Sequence, residues 1–419
     1  MRLKEYSDSI SFKKLTPVGW SLIFVVFFSI HIPAIRHAQG IMNDYEVLAR
    51  SICKGNFWFK ESDLPFVKGT EIPDTGDLIF YQDKYYLPYP PAPAFLLIPF
   101  VLMSKGPINC VFIAVILGFL SILLLYSIFI RLSIPPRQIL WLIFGFTFGT
   151  SYWFVLLSAH HVYGFAEMVS VAAVLLALNE LLGKRRSILM GLFITIAFLS
   201  RQFTIIIGVF IIGYLFNQYA LTPKQKNLKT LWKKAFLFCT TVGVGVVLYC
   251  LYNYTRFQNP LDTGYSHINF LGVLKERVNQ YGVFSPHYVL YNIYNYLFKG
   301  FNIDFQGKMM LQIKDVDLFG SALLVSSPFL VASFKSTWDK IPKVVAWVSI
   351  ALIFTGLLFY HNNGKDQVNA CRFTLDFLPL MIVLTALGIK NIPSWLFKGL
   401  VSYSVILNAI ALFIHFYYH

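Results

Sequence analysis

The sequence consists largely of long apolar runs separated by short polar or basic segments. Many of these runs approach the ~20 residues that an α-helix needs to cross a bilayer. They lie at about 17–35, 108–130, 138–157, 164–182, 235–252, 318–334, 343–360, 373–389 and 399–417. The pattern predicts an all-α polytopic membrane protein, a single integral domain over residues 1–419 with about 11 membrane segments.

One further apolar run, 188–216, lies between GKRRS and NQYALTPKQKNLKTLWKK, and both of these basic segments favour the cytoplasm. A single span would place the two segments on opposite sides of the membrane. We therefore predict a hairpin of two short helices that meet at Ser200-Arg201-Gln202. This arrangement places Arg201 at a tip on the outer side.

The distribution of basic residues predicts the orientation in the membrane. The amino-terminal segment MRLKEYSDSISFKKL carries four Lys and Arg residues, which favours a cytoplasmic amino terminus. Two long extracytoplasmic loops then follow, at 36–107 and 253–317. The predicted inner segments are much shorter in total than the outer ones, and they still hold more than half of the 35 Lys and Arg residues.

In the first outer loop, IMNDYEVLARSICKGNF has the apolar spacing of a short amphipathic helix. Either Asn43 or Asp44 would cap its start, and Gly55 would end it. Glu46 and Arg50 stand four residues apart, so an ion pair within the helix is the simplest role for both. Capping is likewise the plain structural role for Asp44.

The first outer loop ends in a predicted β-hairpin followed by a half-length helix. LIFY and YYL flank QDK as two short strands flank a tight turn. The apolar piece 92–103 has about half the length of a span, and Pro90, Pro91 and Pro93 fix its entry. We expect this piece to lie at the membrane interface.

The composition is typical of a membrane protein, and it argues against nucleic-acid binding, a disulfide framework and a cysteine metal site. Hydrophobic residues make up 57% of the chain and charged residues only 13%, whereas a soluble domain carries roughly 25% charged residues. The basic residues concentrate in the predicted cytoplasmic segments, and this accounts for the net charge of +15. We therefore expect no nucleic-acid partner. The five cysteines are odd in number and show no CxxC spacing, which indicates neither a disulfide framework nor a metal knuckle.

Ionisable residues at membrane depth are costly, and they are therefore candidates for function. Arg201 lies at the predicted hairpin tip. Arg372 begins a span in NACRFTLDFLPLMIV, where a structural pair with Asp376 is the alternative to a binding role. Glu167 lies just inside the span after SAHHVYG and could simply sit at the interface.

Two histidines, His160 and His161, lie in the SAHHVYG turn on the predicted outer side. Because they are adjacent, they cannot form the i, i+4 pair of a helical zinc site. We assign no metal site, and a divalent metal requirement stays open. No other cofactor is indicated.

Five segments, in chain order over about residues 40–385, resemble motifs of the GT-C-fold glycosyltransferases, membrane enzymes that use polyprenyl-phosphate sugars. The resemblance is to the bacterial dolichyl-phosphate-mannose-type and aminoarabinose-transferase-like branch. The segments are NDYEVLARSICKGNF, YYLPYPPAPAFLLIPF, GLFITIAFLSRQF, YNYTRFQNPLDTGY and NGKDQVNACRFTLDFLPL. The resemblance implies an integral protein of the bacterial inner membrane with an extracytoplasmic active site.

The resemblance implies inverting transfer of a sugar from a polyprenyl-phosphate donor to a hydroxyl of a lipid, glycan or protein acceptor. Asp44 would be the general base, and Arg201 and Arg372 would bind the donor phosphate, since the planar guanidinium suits a phosphate. We assign the donor and acceptor pocket to Tyr89, His160, His161 and Tyr265. Membrane lipids are the remaining expected partners.

This chain departs from the family pattern at two places. Where two adjacent acids are common in the family, it has Asp44-Tyr45-Glu46, so the second acid stays open between Glu46 and Glu167. Ala92 stands where glycine is common. The alternative function is a transporter or flippase of a lipid-linked or anionic substrate, with the arginines lining a path.

Overall fold

A computed structural model describes residues 17–60, 78–223, 226–270, 272–364 and 367–418. Three parts of the sequence predictions lie outside the described residues. They are the basic amino-terminal segment 1–16, the stretch 61–77 of the first outer loop, and 365–366 in the arginine motif.

The described chain is mainly helical, with six short strands. In chain order the helices are α1 (Pro17–His37), α2 (Asp44–Cys53), α3 (Ala92–Met103), α4 (Cys110–Arg131), α5 (Pro136–Phe148), α6 (Ser151–Leu157), α7 (Val162–Leu182), α8 (Ser187–Phe198), α9 (Ile207–Phe216), α10 (Leu228–Phe257), α11 (Gly272–Tyr281), α12 (Val289–Ile293), α13 (Leu323–Ser326), α14 (Lys340–Leu358), α15 (Leu378–Gly388) and α16 (Ser394–Tyr418). The strands are β1 (Ile79–Tyr81), β2 (Lys84–Tyr86), β3 (Ile303–Gln306), β4 (Gln312–Val316), β5 (Phe319–Ser321) and β6 (Gln367–Ala370).

Seven helical elements within the described residues are long and apolar enough to cross a membrane. Six are α1, α4, α7, α10, α14 and α16, and the seventh is Gln202–Leu221, in which a 3-10 turn leads into α9. The pair α5 and α6, bent by 55°, would make an eighth. The predicted class, a helical polytopic membrane protein, is confirmed.

Two local predictions for the first outer loop are confirmed, and the predicted hairpin of two short helices is confirmed in part. α3 covers the predicted half-helix, Ala92–Met103. β1 and β2 pair antiparallel around Gln82 and Asp83, whose φ angles of 48° and 58° fit a tight hairpin turn. Two apolar elements do meet at the Arg201 tip, but only α8 is short, because Gln202–Leu221 is long enough to cross a membrane by itself.

The predicted span at 318–334 is wrong. This stretch consists of β5, the four-residue α13 and a 3-10 helix at Pro328–Lys335. β5 pairs in parallel with β6, and the Ser327 hydroxyl donates to the Gly149 carbonyl over 2.6 Å. The segment is apolar because it is packed inside the bundle, a cause that hydropathy does not separate from contact with lipid.

Two further predicted spans are interrupted. The run 138–157 divides at Gly149, because Thr150 caps α6 through its hydroxyl oxygen, which accepts from the Tyr152 N–H. The run 373–389 opens with a 3-10 helix at Arg372–Asp376 before α15 begins. Both interruptions are buried within the protein. Irregular backbone is tolerated inside a membrane where protein groups, and not lipid, surround it.

The core is built around α7, which packs between α4 and α8 and is almost entirely buried. α2 lies at the end of this core where α7 begins, and Asn43 Nδ2 there donates to the His160 carbonyl. The predicted ion pair Glu46–Arg50 is confirmed, with the Arg50 Nε 2.9 Å from Glu46 Oε1. Glu46 Oε2 also accepts from the Ile108 N–H at 2.9 Å, which fixes α2 to the start of α4.

Candidate active site

A cavity of about 540 Å³ opens where the starts of α2, α3 and α7 meet the Arg201 tip and the end of α14. Its wall combines aromatic rings with two arginines and a carboxylate. The residues that line it include Tyr45, Tyr89, Tyr163, Arg201, Tyr265, Tyr360, His361, Arg372 and Asp376. The cavity thus brings together both predicted phosphate-binding arginines and the two predicted pocket tyrosines.

Arg201 is held by a two-point ion pair with Asp376. Its Nε lies 3.0 Å from Oδ1 and its Nη2 3.0 Å from Oδ2. The alternative pair between Arg372 and Asp376 is not formed. Residues 372–376 are a 3-10 helix with about three residues per turn, so positions four apart do not share a face.

Arg372 has a different environment in the same wall. Its guanidinium carbon lies 3.6 Å from the centre of the Tyr163 ring, and the residue is only 6% exposed. Its backbone N–H donates to Gln367 Oε1 at 2.8 Å, which fixes the main chain. Its Nε and Nη1 have no hydrogen-bond partner among the described residues. Buried donors of this kind call for a ligand.

Glu167 lies in the first turns of α7, buried behind the two arginines. Oε1 is 3.8 Å from Arg201 Nη1 and 3.8 Å from Arg372 Nε. Both distances exceed a hydrogen bond, and neither carboxylate oxygen has a hydrogen-bond partner among the described residues. Glu167 therefore offsets positive charge at the site without occupying the donors of Arg372.

Tyrosines supply much of the remaining wall. Tyr89 and Tyr265 meet edge to face with ring centres 6.0 Å apart. The Tyr45 hydroxyl is buried without a hydrogen-bond partner among the described residues, and burial raises its pKa well above the usual value. It therefore remains a hydrogen-bond donor at neutral pH. Rings and hydroxyls together suit a sugar, which presents apolar faces and hydroxyl groups.

Asp44 is the first residue of α2 and is half-buried. The structure decides the capping question, because the cap is Asn43, whose Oδ1 accepts from the Tyr45 N–H at 2.9 Å. Asn43 Nδ2 also donates to the His160 carbonyl at 3.0 Å. Asp44 is not one of the residues that line the cavity, but it directly precedes Tyr45, which is.

The two pocket histidines lie beside the cavity rather than in its wall. The His160 ring lies 6.0 Å from that of His37 and 4.1 Å from that of His161. His161 in turn stacks on Tyr163, the ring that carries Arg372, with centres 5.3 Å apart. The histidines thus lie behind the Tyr163 ring, outside the cavity. Glu46, the other candidate acid, is occupied by Arg50 and the backbone of α4.

His361 is a cavity residue that the sequence reasoning missed. It is 1% exposed, and its Nδ1 has no hydrogen-bond partner among the described residues. Burial, with Arg277 nearby, lowers its pKa to about 4, so the imidazole is neutral at physiological pH. The only local signal was its place in HNNG, directly before the arginine motif.

Arg256, at the end of α10, fixes the tyrosine-rich segment that leads into α3. Its Nη1 donates to the Leu87 carbonyl at 2.7 Å and its Nη2 to Asn253 Oδ1 at 2.7 Å. The Ala92 N–H then donates to the Leu199 carbonyl at 2.8 Å, next to the Arg201 tip. Ala92, at the position where the family often has glycine, thus makes its contact through the backbone.

Within the described ranges, no group of three or more His, Cys, Asp and Glu side chains is arranged to hold a metal ion. No protein-family model matches the sequence, and no curated protein matches it. Among solved structures, the chain is similar to ArnT from Cupriavidus metallidurans bound to undecaprenyl phosphate, with a TM-score of 0.49 and 12% identity. The match covers 91% of this chain and 62% of that one, so this chain spans less than two thirds of ArnT's length.

Proposed function

We propose that the protein is an inverting glycosyltransferase of the bacterial inner membrane. It takes a sugar from a polyprenyl-phosphate donor and transfers it to an acceptor hydroxyl at the extracytoplasmic face. The acceptor class is a lipid, a glycan or a protein. The observation that carries the proposal is Arg372, whose buried donors face a cavity and have no hydrogen-bond partner among the described residues.

Arg372 fits the phosphate of a lipid-linked donor. A guanidinium presents a rigid set of donors that matches phosphate oxygens, and low-dielectric surroundings strengthen the interaction. Its position above Tyr163 leaves Nε and Nη1 available. Arg201 adds a second positive charge to the same cavity, and Asp376 fixes its position.

The surrounding helices suit a lipid-linked substrate. The cavity lies at one end of membrane-spanning elements, so a bound phosphate would be near the membrane surface and its chain near the lipid. Tyr89, Tyr265 and Tyr360 line the space beside the arginines and would contact the sugar. A cavity of about 540 Å³ has the volume of an ordinary small-molecule site.

In the proposed reaction the carboxylate of Asp44 and the guanidinium groups of the two arginines have different roles. Asp44 accepts the proton of the acceptor hydroxyl, and that oxygen attacks the anomeric carbon on the face opposite the phosphate. The bond between the anomeric carbon and the phosphate oxygen breaks, and the configuration inverts. The released polyprenyl phosphate carries the new negative charge, which Arg372 and Arg201 stabilise.

The test is sugar transfer by the purified protein in detergent, from a radiolabelled polyprenyl-phosphate sugar to envelope extracts. Arg372→Ala should lower kcat/KM roughly 10- to 100-fold, the effect of losing a charged hydrogen bond. Arg372→Lys should recover only part of this, because the planar fork is lost. Arg186→Ala is the control, since Arg186 pairs with Glu180 at the far end of α7.

Translocation of the donor in proteoliposomes without its consumption would contradict the proposal and favour the transporter alternative. Normal turnover of Arg372→Ala would remove Arg372 from the donor site.

A further inference from the structure

A second cavity lies on the outside of the helix bundle, between α1, α4 and α5. It measures about 610 Å³ and is open along one side. Almost all of its wall is apolar, and only the Thr147 hydroxyl and aromatic Trp and Tyr groups add polar atoms. Its lining residues include Trp20, Val26, Phe27, Tyr126, Trp141 and Phe148. Such a groove suits a hydrocarbon chain and excludes a sugar or a charged group.

The groove extends toward the membrane face opposite the candidate active site. The active-site cavity is at the start of α7, whereas Arg131, at the end of α4, donates to Asn179 near the other end of α7. α5 begins only a few residues after Arg131. Trp20, Tyr126 and Trp141 therefore lie at the far end of the groove, where interfacial aromatic residues concentrate.

A smaller cavity of about 270 Å³ adjoins this end of the groove. It is formed by the start of α5 and the start of α16, and Trp141 lines both cavities. Arg137 and Lys398 line the small cavity, and none of the acidic residues that the structure describes lines it. The ammonium of Lys398 lies 5.9 Å from the centre of the Trp141 ring. Two exposed cations thus flank the entrance to an apolar groove.

Gln138 adds an independent polar observation. It lines the small cavity, and its Oε1 is buried without a hydrogen-bond partner among the described residues. An amide in this position suits a ligand that carries hydroxyl groups as well as a negative charge.

We propose that the two cavities form one binding site for an anionic glycerophospholipid. The phosphate lies between Arg137 and Lys398, headgroup hydroxyls reach Gln138, and one acyl chain occupies the groove between α1, α4 and α5. Basic pockets between helices attract anionic headgroups, and the groove binds the chain through apolar contact. The site lies on the opposite membrane face from the transferase cavity, so it is independent of the proposed reaction.

Native mass spectrometry of the full-length protein in detergent tests the proposal, with dioleoyl-phosphatidylglycerol and dioleoyl-phosphatidylcholine as probes. Phosphatidylglycerol should bind more tightly. The double variant Arg137→Ala/Lys398→Ala should weaken its binding about 30-fold, roughly fivefold for each cation. Arg137→Lys/Lys398→Arg should retain most of the affinity, which separates loss of charge from misfolding.

Lys229→Ala/Lys233→Ala is the matched control. It removes the same charge from exposed positions at the start of α10, where neighbouring Lys234 donates to the Arg185 carbonyl near the far end of α7. Glycerol 3-phosphate should fail to displace phosphatidylglycerol, because it lacks the chain. Equal binding of the two lipids, equal loss in the control, or displacement by a polyprenyl phosphate would overturn the proposal.

Discussion

At the scale of single residues, the two arginines of the cavity differ in how many of their hydrogen-bond donors the protein itself occupies. Arg201 gives two donors to Asp376, whereas the Nε and Nη1 of Arg372 have no hydrogen-bond partner among the described residues. Arginine therefore has a different role at each of these two positions in the cavity wall. The ion pair with Asp376 gives Arg201 a structural role, and Arg372 is the arginine that we propose binds the donor phosphate.

This difference predicts a split between stability and donor affinity. Arg201→Ala leaves Asp376 buried without its partner, which should lower the free energy of unfolding by about 3–5 kcal/mol. Arg372→Ala removes a guanidinium whose ion pair with Glu167 is longer, at 3.8 Å, and leaves Arg201 beside that carboxylate, so it should affect stability much less. Thermal unfolding in detergent, with and without donor lipid, measures both effects. Equal destabilisation by the two variants would contradict the division of roles.

Asp44 and Asn43 offer a second comparison between adjacent residues. Because Asn43 is the cap, Asn43→Ala should destabilise the protein by about 1–2 kcal/mol. Asp44→Asn keeps the size of the side chain and should leave folding intact. If Asp44 is the general base, the change should slow sugar transfer roughly 10²- to 10⁴-fold. Near-normal turnover of purified Asp44→Asn would instead direct attention to Glu167.

His361 predicts a dependence of stability on pH. The folded protein holds its pKa at about 4, below the ordinary 6.5, so the unfolded chain binds more protons between these values. The contribution of His361 to stability is complete above pH 6.5 and is lost as the pH falls toward 4. His160 shares this behaviour, because burial and its neighbours His161 and His37 also lower its pKa to about 4.

The matching experiment compares the wild type with His361→Gln by thermal unfolding from pH 7 to pH 4.5. The variant should lose less stability on acidification, by on the order of 1–3 kcal/mol, while His160 maintains part of the slope in both proteins. Parallel curves for the two proteins would show that His361 does not titrate in this way.

At the scale of elements, α8 and α10 approach closely through small residues. A Cβ added to Gly245 would overlap Thr195 Cγ2, and one added to Gly191 would lie 2.7 Å from Thr241 Cβ. Close approach of this kind is a usual basis for helix pairing in membranes, where lipid removes the hydrophobic drive between helices. The position of α8 sets that of the Arg201 tip.

Gly245→Ala should therefore destabilise the protein by about 1–3 kcal/mol, the range for overpacking. Gly243→Ala is the control on the same helix, since an added Cβ meets nothing within 4 Å. That change should be neutral or slightly stabilising, because alanine favours helix. Adding Thr195→Ala to Gly245→Ala should restore part of the loss. Similar melting temperatures for the two single variants would contradict the packing argument.

The local sequence predicted several secondary-structure features correctly, but it could not predict contacts between distant segments. The Glu46–Arg50 pair, the turn at Gln82 and the half-helix at Ala92–Met103 follow from spacing and turn chemistry, and all three are present. Arg201 and Asp376 are 175 residues apart, so their pairing depends on tertiary structure. No local pattern separates that pairing from one between Arg372 and Asp376.

The error at 318–334 has the same origin. Hydropathy reports that a segment avoids water, but a segment packed within the bundle and one facing lipid have similar compositions. Here the apolar run is interrupted at Pro328 and pairs through β5 with the strand before Arg372. The segment 318–334, wrongly predicted as a span, therefore holds in place the strand that precedes Arg372 in the candidate site.

At the scale of the whole molecule, particular contacts show which segments lie at the same end of the long helices. The candidate active site and the β3–β4 hairpin lie at one end, where Asp315 meets His415 near the close of α16. The start of α10 lies at the other end, where Lys234 donates to the Arg185 carbonyl. From the basic segments of the sequence we predict that the second end faces the cytoplasm.

This assignment predicts which introduced cysteines react from outside. Lys308 is exposed in the β3–β4 turn and Lys226 is exposed just before α10, so the two report on opposite ends. In a variant whose five native cysteines are replaced by serine, a membrane-impermeant maleimide should label Lys308→Cys in intact cells and should label Lys226→Cys only after lysis. The reverse pattern would invert the orientation and place the candidate site in the cytoplasm. Labelling of both from outside would contradict the predicted two-leg course of the chain through α8 and Gln202–Leu221, because that course returns the chain to the inner side at Lys226.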